Sequence, residues 1–274
     1  MRILLTADLH GREAWYEWIL KRAAEFDLVA IGGDLLEQED VIALIVQVGV
    51  LLHWVERFPF KSTHLAMCSG NHDLVERSLV VESKRLFNKP AMNPAGQRLT
   101  RALTNGFWMD HLRLNEDVIV DGVVRVLWTP RSETLLVSSM PYAAGSDEAA
   151  ERPWNEAAQL CGQDRLPWLV LHHEPASGGQ LVGGYQGSEG LARRIRHVQP
   201  DYVLSGHFHE VPVRTGVFAE KIGRTWCFNP GAVPKAKFPS HIILDTVACT
   251  AQHVTWDESG NLRESVVDLN KGTS

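Results

Sequence analysis

The chain has 274 residues, 45% of them hydrophobic and 22% charged, with a formal net charge of −6 at pH 7. That length and mix suffice for a substantial core and exclude a disordered chain. The acidic balance argues against a general nucleic-acid coat, which is usually basic, although a nuclease needs only a local basic patch.

Residues 2–7 are apolar and β-rich and break at Asp8. Residues 13–25 have helix-forming composition, with Trp15, Trp18 and Ile19 at helical spacing. Residues 28–31 are apolar and run into Gly32-Gly33-Asp34; residues 40–57 read as a second helix, and residues 63–68 as a strand ending at Gly70. This β-α-β-α-β order predicts parallel strands with helical crossovers. Ligands collect beyond the carboxyl ends of such strands. Residues 74–87 read as helix and 88–108 as a loop rich in Pro, Asn and Gly. From residue 117 the pattern is hairpin-like, with Asp121-Gly122 followed by apolar runs at 123–128 and 135–140. Further strands are predicted at 168–171, 202–204, 225–228, 241–244 and 252–256, and a connecting helix at 147–160. No repeat, low-complexity tail or linker divides the chain, so residues 1–274 are expected to form a single domain.

Cys68, Cys161, Cys227 and Cys249 are far apart and lie in or beside apolar runs. They read as buried free thiols in a reducing compartment, not as a zinc ribbon or redox pair. The first apolar run is too short for a signal peptide and ends on Asp8-Leu9-His10. No segment reaches the ~20 apolar residues that span a bilayer. A soluble, cytoplasmic protein without a membrane partner is expected.

Five short segments carry the chemistry: Asp8-Leu9-His10, Gly33-Asp34, Gly70-Asn71-His72-Asp73, His172-His173 and Gly206-His207-Phe208-His209. Four directly follow apolar, β-branched runs, so distant side chains can converge at strand tips. Asp8 and His10, and likewise His207 and His209, are two apart and share a side by strand alternation. Of His172 and His173, alternation allows only one to face the site. Taken singly, each segment is compatible with a polar turn or, for Asp34, a helix N-cap. Five in one chain are improbable as independent accidents. Their oxygen and nitrogen donors suit hard or borderline divalent cations, and two adjacent ions suit phosphoester hydrolysis.

The order of these blocks resembles the calcineurin-like metallophosphoesterase superfamily: D-x-H, then G-D, then G-N-H-D, then a His after an apolar strand, then G-H-x-H. Asn229-Pro230-Gly231 after a late strand adds to the likeness. The resemblance implies a four-layer αββα sandwich of two mixed sheets. It also implies two divalent metal ions, Mn before Fe, Zn, Co or Ni. Asp8, His10, Asp34 and His209 would hold the first ion, and Asp34, Asn71, His172 and His207 the second. His173 would replace His172 if the register slips by one. The implied reaction is hydrolysis of a small-molecule phosphodiester or phosphomonoester by a bridging hydroxide. His72 would act as general acid, supported by Asp73. A nuclease of the same superfamily is the alternative. A non-catalytic scaffold tends to lose such ligands, and here every position is filled.

Two stretches stand outside the motifs. Residues 77–109 carry Arg77, Lys84, Arg85, Lys89, Arg98 and Arg101, as a substrate-collecting rim or a solvated face. Residues 176–190 are glycine-rich, as a lid or an irregular connection.

Overall fold

The computed structural model describes residues 1–37, 41–73, 112, 115–128, 133–142, 148–164 and 166–271. The helix and loop predicted over 74–108, and the basic stretch 77–109, lie outside the described residues.

One sheet is built from β1 (Arg2–Thr6), β2 (Leu28–Ile31), β3 (His64–Met67), β4 (Val118–Val120), β11 (His241–Asp245), β12 (Thr250–Trp256) and β13 (Leu262–Asp268), in the order β13-β12-β11-β1-β2-β3-β4. Strands β1 to β4 are parallel, and β11 to β13 continue the sheet antiparallel from β1. The second sheet holds β5 (Val124–Trp128), β6 (Thr134–Ser139), β7 (Trp168–Leu171), β8 (Tyr202–Leu204), β9 (Ala219–Ile222) and β10 (Thr225–Phe228), in the order β5-β6-β7-β8-β10-β9. Here β6, β7, β8 and β10 are parallel, and β5 and β9 are antiparallel edges.

Strand alternation sorts the apolar residues into three buried layers. Ile3, Leu5, Leu28, Ala30, Leu169, Leu171, Leu204 and Phe228 meet between the two sheets. Their neighbours Leu4, Val29 and Ile31 face the other way, against Trp15, Tyr16 and Ile19 of α1 (Glu13–Arg22) and Leu51 and Trp54 of α2 (Val41–Glu56). Val170 and Trp168 of β7 pack outward with Trp154 of α3 (Glu148–Asp164) and with Leu191 and Ile195 of α4 (Glu189–Val198). The layers are therefore helix, sheet, sheet, helix, as the resemblance implied. No helix among the described residues is long and apolar enough to cross a membrane.

The structure differs from the sequence reading in four places. A short 3-10 turn at Ala23–Glu25 ends the first helical segment. Asp121-Gly122 passes the chain from one sheet to the other, because β4 pairs with β3 while β5 pairs with β6. Strands β9 and β13 and helices α4 and α5 (Glu210–Thr215) were not predicted. All four cysteines are free, but only Cys68 and Cys227 are buried; Cys161 and Cys249 are partly exposed.

Two buried histidines in the first sheet carry a pH dependence. Burial pushes His241 and His253 down to about 4, against the backbone carbonyls of Pro239 and Pro230 that partly offset it. Between about pH 6.5 and 4 the unfolded chain binds protons that these folded rings refuse, so stability falls as pH falls through that window. The stability difference between wild type and His253→Gln should accordingly shift in the variant's favour as urea unfolding is moved from pH 6.5 to 4. A difference that stays constant with pH would contradict the assignment.

Candidate metal centre

Six strands running the same way end at one edge of the inter-sheet layer, and the sequence motifs sit on those ends. Asp8 follows β1, Asp34 follows β2, Asn71 follows β3, His173 follows β7, His207 follows β8 and Asn229 follows β10. The tips are laced together by main-chain hydrogen bonds. Asp8 N–H donates to Gly33 at 3.0 Å, His10 N–H to Asp34 at 3.0 Å, and Gly11 N–H to Leu35 at 2.8 Å. Gly206 N–H donates to the His173 carbonyl at 2.8 Å. The Asn229 side chain donates to the carbonyls of Gly206 (3.1 Å) and Phe208 (3.3 Å), so it braces the loop that bears His207 and His209.

Asp8, His10, Asp34 and His207 all have positive φ, at 57°, 47°, 50° and 69°. Left-handed backbone is costly for residues with a side chain and concentrates where the surroundings enforce it. The motif glycines have a steric cause, to which Gly33 adds its own positive φ of 93°. A Cβ on Gly70 would overlap the Asp34 carboxylate, and one on Gly33 would overlap the His173 ring. Glycine there is a requirement of close approach.

Two of the three donor groups among the described residues adjoin through Asp34; the third, His10, Glu37 and His72, shares His10 with the first of them. In the first, donor atoms of Asp8, His10, Asp34 and His209 lie within 4.8 Å of one another. His10 Nε2 and His209 Nε2 face each other at 3.1 Å, and His209 Nε2 is 3.3 Å from Asp8 Oδ1. In the second, Asp34, His173 and His207 meet the same limit. His173 Nε2 lies 3.2 Å from Asp34 Oδ2 and 3.1 Å from Asn71 Oδ1, which is also 2.9 Å from His207 Nδ1. Asp34 belongs to both groups.

The sequence offers His172 first and His173 if the register slips by one; in the structure it is His173 that joins this group. His172 shares its side of the strand with Trp168 and Val170, which pack outward under α3 and α4. Its Nδ1 is 2.8 Å from the Glu174 carbonyl. His173 shares the parity of Leu169 and Leu171, which point between the sheets. Its Nδ1 is 2.8 Å from the Gly32 carbonyl, a contact that makes Nδ1 the donor and turns Nε2 toward Asp34.

Asp73, expected beside His72, does not sit on that ring. Its carboxylate accepts N–H bonds from Leu35 (3.1 Å), Leu36 (2.9 Å) and Gly70 (2.8 Å), tying the turn after β2 to the turn after β3. Burial, and next the charge of Asp34, lift its carboxyl to about 7. The carboxylate beside His72 is Glu37, which the sequence reading missed. Its two oxygens lie 2.7 Å from His72 Nδ1 and 2.9 Å from His10 Nδ1. The available signal is an acid three residues after Asp34.

The donor set fits cations. Asp8 Oδ2 is buried with no hydrogen-bond partner, and imidazole nitrogens converge on one another around carboxylate oxygens. Such an arrangement is unfavourable unless positive charge joins it. The protein shows the same need in its proton affinities. Burial pushes His173 down, but the hydrogen bond and charge of Asp34 outweigh it and lift the ring to about 9. Asp34 is held low by the same pairing, against the opposing effect of burial. A cation bound at His173 must expel that proton.

The chain matches the family model for calcineurin-like phosphoesterases over residues 1–211. No curated protein matches it. Among solved structures it is similar to the purple acid phosphatase PPD1 of yellow lupin (Lupinus luteus), with a TM-score of 0.52 and 13% identity over 98% of this chain and 53% of that chain. It also aligns with a 5'-nucleotidase precursor from Thermus thermophilus, with a TM-score of 0.47 and 13% identity over 97% of this chain and 54% of that one. The chain thus spans about half the length of both. At 13% identity the likeness to the purple acid phosphatase is one of fold.

Proposed function

Because the chain belongs to the calcineurin-like phosphoesterase family, we propose that it hydrolyses phosphoesters of small molecules with two divalent cations held between its sheets. Asp8, His10, Asp34 and His209 would hold one, and Asp34, Asn71, His173 and His207 the other. The observation that carries this reading is the position of Asp34 in both donor groups. Bound divalent ions supply positive charge for an anionic phosphoryl group and lower the pKa of water toward neutrality. Mn is assigned first, since mixed carboxylate, carbonyl and imidazole donors accommodate it. Four free cysteines support a reducing compartment, and we place the protein in the cytoplasm.

The remaining work falls to His72 and its neighbours. The leaving alkoxide needs a proton. His72 is partly exposed beside the cluster, its ring edge-on to His10 at 4.9 Å between centroids. A Glu37 oxygen lies 2.7 Å from its Nδ1, and we assign the other ring nitrogen, Nε2, to deliver the proton to the leaving oxygen. The same carboxylate lies 2.9 Å from His10 Nδ1, while His10 Nε2 faces the first donor group. Asp73 acts through the backbone by fixing both turns.

The test is hydrolysis of p-nitrophenyl phosphate and bis(p-nitrophenyl) phosphate by chelator-stripped protein with and without Mn. Activity that returns with Mn supports the reading, and the preferred ester sorts phosphatase from phosphodiesterase. No hydrolysis of either ester under any metal would refute it.

A further inference from the structure

The glycine-rich residues 176–190 do more than connect β7 to α4. Their ends are closed by a bridge between Ala176 and Ser188, with Ser188 N–H donating to Pro175 at 2.7 Å and Ser177 N–H to Ser188 at 3.0 Å. Their middle is fastened by Glu220 of β9, a buried carboxylate that accepts N–H bonds from Gln180 (2.5 Å) and Leu181 (3.4 Å). Between these anchors, Gly183, Gly184 and Gly187 take positive φ, and the turn they make presents Tyr185. Gly183 also packs so tightly on Val211 that a Cβ there would overlap it.

Tyr185 lies on the metal-centre loop. Its ring is stacked on Phe208, with centroids 4.8 Å apart and planes 15° from parallel. Its hydroxyl donates to Glu210 Oε1 at 2.6 Å. Phe208 sits between His207 and His209, and its centroid is 4.7 Å from that of the His207 ring. Phe208 covers one face of Tyr185, and the residue is still 49% exposed. An aromatic ring fixed by a hydrogen bond and a stacking partner, yet half open to water beside a charged site, has the features of a stacking surface.

We propose that Tyr185, backed by Phe208, is a specificity residue that stacks the planar aromatic part of the substrate, such as a nucleobase carried on the alcohol side of the phosphoester. This rests on the phosphoesterase reading and narrows it. The phosphoryl group lies at the cations, and the ring of the alcohol lies over Tyr185. Phe208 orients Tyr185, and Glu210 fixes its tilt.

The experiment uses the Mn-loaded full chain and an activated reporter ester, with KM determined separately for each variant. Adenosine 5'-phosphate and glycerol 3-phosphate serve as competitive inhibitors. They share a charge and a primary phosphoester and differ in the ring. In the wild type the nucleotide should inhibit at lower concentration. Loss of one stacking ring costs about 5- to 150-fold, so Tyr185→Ala should raise the inhibition constant of the nucleotide by that factor and leave that of glycerol phosphate in place. Tyr185→Phe, which keeps the ring, should stay near wild type. Equal shifts for both inhibitors, no shift for either, or a loss in Tyr185→Phe as large as in Tyr185→Ala would overturn the platform and leave the phosphoesterase reading standing. A wild type that never turns over the reporter would overturn both.

Discussion

Asp34→Ala should abolish phosphoester hydrolysis and weaken both cation sites together. Asp34 Oδ2 is 3.2 Å from His173 Nε2 and 3.9 Å from His10 Nε2, one contact in each donor group. Its Oδ1 accepts the His72 N–H at 2.9 Å, which holds the third motif in place. The residue is 1% exposed, so solvent does not replace the lost oxygens. Losing an outer partner of a metal ligand costs about 10- to 100-fold; loss of the shared ligand should exceed about 100-fold in kcat/KM, with metal content falling in step. The φ of 50° strains alanine, so Asp34→Asn, which tolerates that backbone and removes the charge, separates folding from ligation. Either variant retaining near-wild-type turnover at saturating Mn would show that Asp34 is not shared.

His72→Ala should leave metal content nearly intact and slow the reaction by about 10²–10⁴-fold, the usual contribution of a general acid. The loss should be large for alkyl esters and shrink for p-nitrophenyl esters, whose leaving group needs little protonation. Glu37→Gln should give a smaller loss with the same leaving-group trend, because it removes the charge beside His72 Nδ1. It should also loosen the first cation, through His10. Equal losses on activated and unactivated esters would assign His72 to phosphate binding instead.

Much of this arrangement was legible from the chain. The apolar runs that end at Asp8, Asp34 and His207 are strands, and their parallel order alone puts these residues at one edge. What failed has local physical causes. β7 is apolar on both faces, as central parallel strands are, so Trp168-Leu169-Val170-Leu171 gives no sign of which face is inner. Only the packing of Leu169 and Leu171 between the sheets selects His173 over His172. Asp73 was assigned to its sequence neighbour, whereas its acceptors serve backbone groups 35 and 36, brought near by the turn after β2. β13 is an exposed edge with no apolar alternation to detect. α4 had its signals, a Ser188 cap on Leu191 N–H and buried Leu191, Ala192 and Ile195, but it follows directly on the glycine-rich segment.

One chain is expected to hold two cations, at donor groups that share Asp34. Chelator-stripped protein titrated with Mn, then freed of unbound metal and analysed for Mn per chain, tests it most directly. Two equivalents are expected in the wild type, and a joint loss in Asp34→Asn. Occupancy that stops at one equivalent with Mn in excess would contradict it.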